Sequence, residues 1–171
     1  ALLNILPSTI NPRASEYISD MIDFIKSLID QGNAYEINGN IFFDTKAYKK
    51  YGKFVDIDDE SLSIEEDELG KKHPNDFALW KAWKESDGKI TWESDWGNGR
   101  PAWHTECAVL GTQLLGKSID IHCGGIDLKF PHHENESAQV EALLGNQFAN
   151  YWLHAEHLIF DSEKMSKSLG N

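Results

Sequence analysis

The stretch 118-SIDIHCGGIDLKFPHHENESAQVEALLG-145 decides the fold, because strand, turn and helix signals follow one another within it. Ser118 to His122 is a short β-branched run suited to a buried strand. Gly124 and Gly125 break that run and allow close approach of a ligand to the backbone. Pro131 suits the first helical position and Gly145 the residue past the helix end. The helix opens His132-His133-Glu134-Asn135-Glu136. His132 and Glu136 are four residues apart, so they share one face and can grip a single ion. In open α/β sheets ligands bind beyond the C-terminal ends of strands, where this loop falls. The reading is an α/β protein with its chemistry here.

Outward from this stretch, a second helix is predicted from Pro101 to Leu115, with Trp103, Cys107, Leu110 and Leu114 on one stripe. Cys107 alone reads as a small buried hydrophobe. Together with His132 and Glu136 it offers sulfur, imidazole and carboxylate, a set that suits zinc better than magnesium or calcium. His133 rivals His132 for that role, and Cys123 rivals Cys107. On the C-terminal side, Asn150 to Phe160 is a strand candidate interrupted by His154, Glu156 and His157. The lysines and serines of 164-KMSKS-168 can form a phosphate-binding loop or a polar, frayed end.

Towards the N-terminus, Ile18, Met21, Ile22, Ile25, Leu28 and Ile29 have helical spacing, between a Ser15 cap and Gly32. AYEINGNIFFD reads as two strands joined by an Asn38-Gly39 hairpin turn. A basic, tyrosine-bearing patch follows (Lys46, Tyr48, Lys49, Lys50, Tyr51, Lys53), readable as solvated surface or as a contact for a nucleic-acid backbone. Trp80, Trp83, Trp92 and Trp96 then crowd into one segment, as a mini-core or as a platform for stacking bases.

Composition bounds the class. With 171 residues, 40% hydrophobic and 26% charged, the chain has the make-up of a soluble domain with a sizeable core. No apolar run approaches the ~20 residues that span a bilayer, and the first residues lack a signal-peptide pattern. Two cysteines do not make a disulfide scaffold, so a reducing, cytoplasmic setting is expected. The net charge of −12 weighs against nucleic-acid binding. Eight acidic residues with no Lys or Arg lie between Asp56 and Leu69, however, so two-thirds of that charge is local.

WHTEC, FPHHENE and KMSKSLGN together resemble the cysteinyl-tRNA synthetases, class I aminoacyl-tRNA synthetases. NILPSTINPRAS, HPNDFALWK and WGNGRPAWH extend the likeness over nearly the whole chain. KMSKS alone marks only the class; the HHENE helix with WHTEC points to cysteine. The resemblance implies a Rossmann-like catalytic domain. Residues 1–32 would end its first half, 33–97 form an inserted α+β connective segment, and 98–171 supply the second half. It implies a zinc ion held by Cys107, His132 and Glu136, with Trp103 and His104 at the amino-acid substrate. It implies ATP, with magnesium, at His122, Gly124, Gly125, Asp127 and Lys167, and catalytic lysines at Lys164 and Lys167. The partners implied are L-cysteine, ATP and tRNA(Cys), and no membrane.

The sequence departs from the family in lacking a His-x-Gly-His motif and the N-terminal cysteine that is the family's fourth zinc ligand. The expectation is therefore an internal piece, inactive alone. A cysteine:amino-sugar ligase of the same superfamily, or a non-catalytic zinc-binding fragment, are the alternative readings.

Overall fold

The computed structural model describes residues 4–54, 70–160 and 162–170. The acidic run lies outside them. Helix α1 (Ile18–Asp30) buries Met21, Ile25 and Leu28 completely, each worth roughly 1.5–3 kcal/mol. Ser15 does not cap it. It sits in a separate 3-10 turn, and Tyr17 holds the cap position without a side-chain hydrogen bond.

Strands β1 (Ala34–Ile37) and β2 (Asn40–Phe43) form the expected hairpin. Asn38 and Gly39 both take positive φ, 52° and 78°, the backbone a two-residue turn requires. Strands β3 (Phe77–Ala82) and β4 (Gly99–Pro101) complete an antiparallel sheet in the order β1-β2-β3-β4, which runs across the 97/98 position. Asp76 fastens it: its carboxylate accepts from Tyr35 Oη at 2.6 Å, Thr45 Oγ1 at 2.8 Å, Thr45 N at 2.9 Å and His73 N at 3.1 Å. Three of the four tryptophans form a mini-core here, and Trp83 stays exposed. Trp80 is fully buried, Trp96 meets it edge-on at 5.9 Å, and Trp92 packs beside them.

Helix α2 (Trp103–Leu115) starts two residues later than expected and buries a different stripe. Thr105, Ala108 and Val109 face the core, while Trp103 is 61% exposed. Small residues win this face because α2 approaches its neighbours closely. A Cβ on Gly111 would stand 2.9 Å from Phe148.

Strand β5 (Ile119–Gly125), helix α3 (Glu134–Leu144) and strand β6 (Ala149–Ala155) make a parallel βαβ unit. The glycines do not break β5. Gly124 and Gly125 pair with His154 and Ala155, so strand pairing overrides their local preference. Nor does Pro131 start the regular helix. Phe130, just before proline, is extended (φ −142°, ψ 136°), and α3 begins only after a π-type turn over Lys129–His133. Its end at Gly145 (φ 72°) is as expected.

Helix α3 is buried from Glu134 to Val140 and lies between two apolar clusters. Ala138 joins the one built by α1 and the antiparallel sheet, and Val140 the one with Ala108, Ile119, Phe148 and Ala149. The Asn150–Phe160 segment is split into β6 and a short strand β7 (Ile159–Phe160), which pairs with β8 (Glu163–Lys164).

Candidate metal centre and its histidine cluster

Helix α3 carries polar residues on a face with no access to water, so each needs a partner inside the protein. Glu134 finds its partners in the segment before the acidic run. Its carboxylate accepts from the backbone N–H groups of Gly52, Lys53 and Phe54 at 2.9, 3.3 and 2.9 Å. Tyr51 Oη donates to Asn135 Oδ1 at 2.6 Å and Tyr48 Oη to Glu141 Oε2 at 2.9 Å. The tyrosines of the basic patch therefore bind the helix, while Lys46, Lys49 and Lys50 stay exposed.

Glu136 differs. It is completely buried, and His122 Nε2 donates to its Oε2 at 2.7 Å. Its Oε1 lies 3.0 Å from His132 Nε2, an ion-pair distance, and accepts no hydrogen bond among the described residues. Burial raises the Glu136 carboxyl, but the His122 bond and the closeness of His132 outweigh it and hold the group below its ordinary value. It is an anion with one unsatisfied oxygen.

Two donor triads share this carboxylate: Cys107, His132 and Glu136, and His122, His133 and Glu136. Within each, the ligand atoms lie within 4.8 Å of one another. The oxygen facing His122 is occupied by a hydrogen bond, and the oxygen facing His132 is not. That orphaned oxygen, a buried imidazole and a nearby sulfur are a donor set that zinc fits. Burial, then Glu136 and Glu106, push the Cys107 thiol up to about 12, a bias that a divalent cation reverses.

Two neighbouring histidines, His104 and His133, are neutral near pH 7. Burial lowers His104 to about 3 and His133 to about 4. Gln139 fixes the His104 tautomer: its Oε1 accepts from Thr105 Oγ1 at 2.9 Å, and its Nε2 donates to Asn135 O and, at 3.0 Å, to His104 Nδ1. His104 therefore carries its proton on Nε2. Trp103 places its ring 4.2 Å from His132. His133 Nδ1 and His154 Nε2 are 2.8 Å apart, and Trp152 stacks on His122.

Gly124 has a steric reason of its own: a Cβ there would lie 2.5 Å from His133 Cε1. Gly125 meets Asp127 in the same way, at 2.4 Å from Oδ1. Lys164 and Lys167 are exposed on the β7–β8 hairpin and the turn after it, and neither makes a salt bridge among the described residues. Sequence reasoning passed over Trp152 and Gln139 and read His154 only as an interruption of a strand. Alternation along β6, which turns Trp152 and His154 to one side, was the available signal for those two.

The model of the tRNA synthetases class I (C) catalytic domain matches residues 1–171, and the chain belongs to that family. It is also similar to Cysteine--tRNA ligase from Brachyspira hyodysenteriae, 47% identical over 175 residues. That alignment covers 99% of this chain and 37% of the relative, so the chain spans little more than a third of that protein.

Proposed function

We propose that the protein containing this chain is a cysteine–tRNA ligase in which zinc selects the thiol of the substrate. The observation that carries this reading is the meeting of Cys107, His132 and Glu136 around a buried carboxylate with one oxygen that has no hydrogen-bond partner among the described residues. The name of the Brachyspira relative supports the tRNA enzyme over an amino-sugar ligase.

Cys107, His132 and Glu136 would hold the ion. When bound, it supplies a soft Lewis acid that takes a thiolate in preference to serine's hydroxyl, a distinction that shape alone makes poorly. Trp103, beside His132, would wall the amino-acid pocket, and His104 would offer its Nε2–H there. The substrate carboxylate attacks the α-phosphorus of ATP, the bond to pyrophosphate breaks, and cysteinyl-adenylate forms. A hydroxyl of the terminal adenosine of tRNA(Cys) then attacks the carbonyl carbon and AMP leaves. Such transfers depend on positioning and on charge placed against the phosphates. Lys164 and Lys167 would provide that charge, with magnesium accompanying ATP, and His122, Gly124, Gly125 and Asp127 would border the nucleotide. The wider frame is a Rossmann-like domain, with residues 33–97 as an insertion between its halves. The cytoplasm is the proposed setting.

The test is amino-acid-dependent exchange of pyrophosphate into ATP by the full-length protein, with zinc measured on the same sample. Cysteine-dependent exchange with near-stoichiometric zinc is expected, and the 171-residue chain alone should show none. Equal exchange with serine would sink the thiol-selection reading.

A further inference from the structure

His122 also reaches the candidate metal centre. Strand β5 turns Cys123 outward and His122 inward, towards α3. The imidazole is held on several sides. Trp152 stacks on it with centroids 4.6 Å apart and planes 16° from parallel, His133 lies at 4.5 Å, and Phe148 closes edge-on at 5.8 Å. A ring packed in this way has little freedom to turn, and its Nε2 is aimed at Glu136 Oε2 at 2.7 Å.

A carboxylate is planar, so fixing one oxygen fixes the other. The oxygen His122 binds is the one turned from His132, and the oxygen it leaves free is the one 3.0 Å from His132 Nε2. We infer that His122 is a positioning residue of the metal centre: it holds Glu136 so that Oε1 faces Cys107 and His132, and it keeps Oε2 from coordinating. This role rests on the zinc reading above. In the second triad, His122 already spends its Nε2 on Glu136 Oε2.

Zinc affinity of the full-length protein and its variants, measured by competition with a chromophoric chelator, tests the role. Cobalt(II) spectra report the ligand set independently of activity. His122→Phe keeps a ring on Trp152 but removes the donor. It should weaken zinc binding roughly 10- to 100-fold, as loss of an outer partner of a ligand does. The cobalt d–d bands should shift while the sulfur-to-cobalt band from Cys107 persists. His122→Gln, able to donate an amide N–H, should recover part of the affinity. Parental affinity and an unchanged cobalt spectrum in His122→Phe would overturn the role. So would a second zinc equivalent in the parent that disappears in the variant, since His122 would then be a ligand. A parent that binds no zinc overturns the metal reading itself, before any variant is compared. Should neither variant fold, the zinc-loaded parent decides: a slowly exchanging His122 Nε2–H proton supports the bond to Glu136, and its absence overturns it.

Discussion

Glu134 and Glu136 stand two residues apart on one buried helix, and their surroundings are opposite. Three backbone N–H groups in a row close around the Glu134 carboxylate. Among the described residues, Glu136 has one hydrogen bond, from a packed histidine, and one oxygen with none. A buried charge that is fully hydrogen-bonded serves the fold, because its desolvation is offset on the spot. A buried charge left half satisfied calls for a further partner, such as a water or an ion. The motif HHENE thus holds a structural carboxylate and a candidate ligand side by side.

The largest effect that would test this contrast is at the half-satisfied group. Glu136→Gln should lower zinc affinity by more than the roughly 100-fold that loss of an outer partner costs, while the far-UV circular dichroism stays that of the parent. Stoichiometric zinc in the variant would remove the distinction between the two glutamates. Glu134→Gln should do the reverse. It trades charge-assisted bonds for weaker ones and leaves an N–H without its anion, costing about 2–3 kcal/mol in urea denaturation. Zinc content under native conditions should be unchanged. If Glu134→Gln lost zinc without losing stability, the structural carboxylate would be the ligand.

A third change separates the two triads. In Gly124→Ala the new methyl would stand 2.5 Å from the His133 ring and must displace it. Overpacking of this kind costs about 1–3 kcal/mol. The pair formed by His133 and His154 should separate, with zinc affinity staying near the parental value if the ion lies between Cys107 and His132. A loss of zinc as large as that of Glu136→Gln would move the ion to the His122–His133 side.

Much of this contrast was legible in the sequence, and the remainder was hidden for physical reasons. The four-residue spacing of His132 and Glu136 brought them together as expected, and Cys107 reached them from the preceding helix. The Asn38-Gly39 turn and the Gly145 terminus were legible because positive φ is demanded of a few residue types only. Other features depend on parts of the chain far apart in sequence. The glycines of β5 read locally as a break, yet pairing with β6 extends the strand through them. The partners of Glu134 lie 80 to 82 residues away, on backbone N–H groups that carry no side-chain signature. The family resemblance assigns His122 to the nucleotide, and its Nε2 bond to Glu136 depends on how β5 packs against α3, which the strand's own sequence does not show.

The smallest effect concerns Glu141, five residues beyond Glu136 and on the structural side of the comparison. It accepts from Lys53 Nζ, Ser137 Oγ, Tyr48 Oη and the Phe148 N–H. Burial raises its carboxyl, but the bonds from Lys53 and Ser137 outweigh that and hold it below the ordinary carboxylate value. A group with a depressed folded pKa contributes stability that is present above its unfolded pKa and lost as pH falls through the folded one. The parent should therefore lose stability as pH drops through and below the ordinary carboxylate range, and Glu141→Gln should lose less over the same interval. The difference should be about 1 kcal/mol at neutral pH, since Lys53 is partly solvated. Urea midpoints from pH 7 down to pH 3 measure it. Parallel curves would mean that Lys53 and Ser137 leave the carboxyl unshifted, and the bonds around Glu141 would then be packing contacts without charge stabilisation.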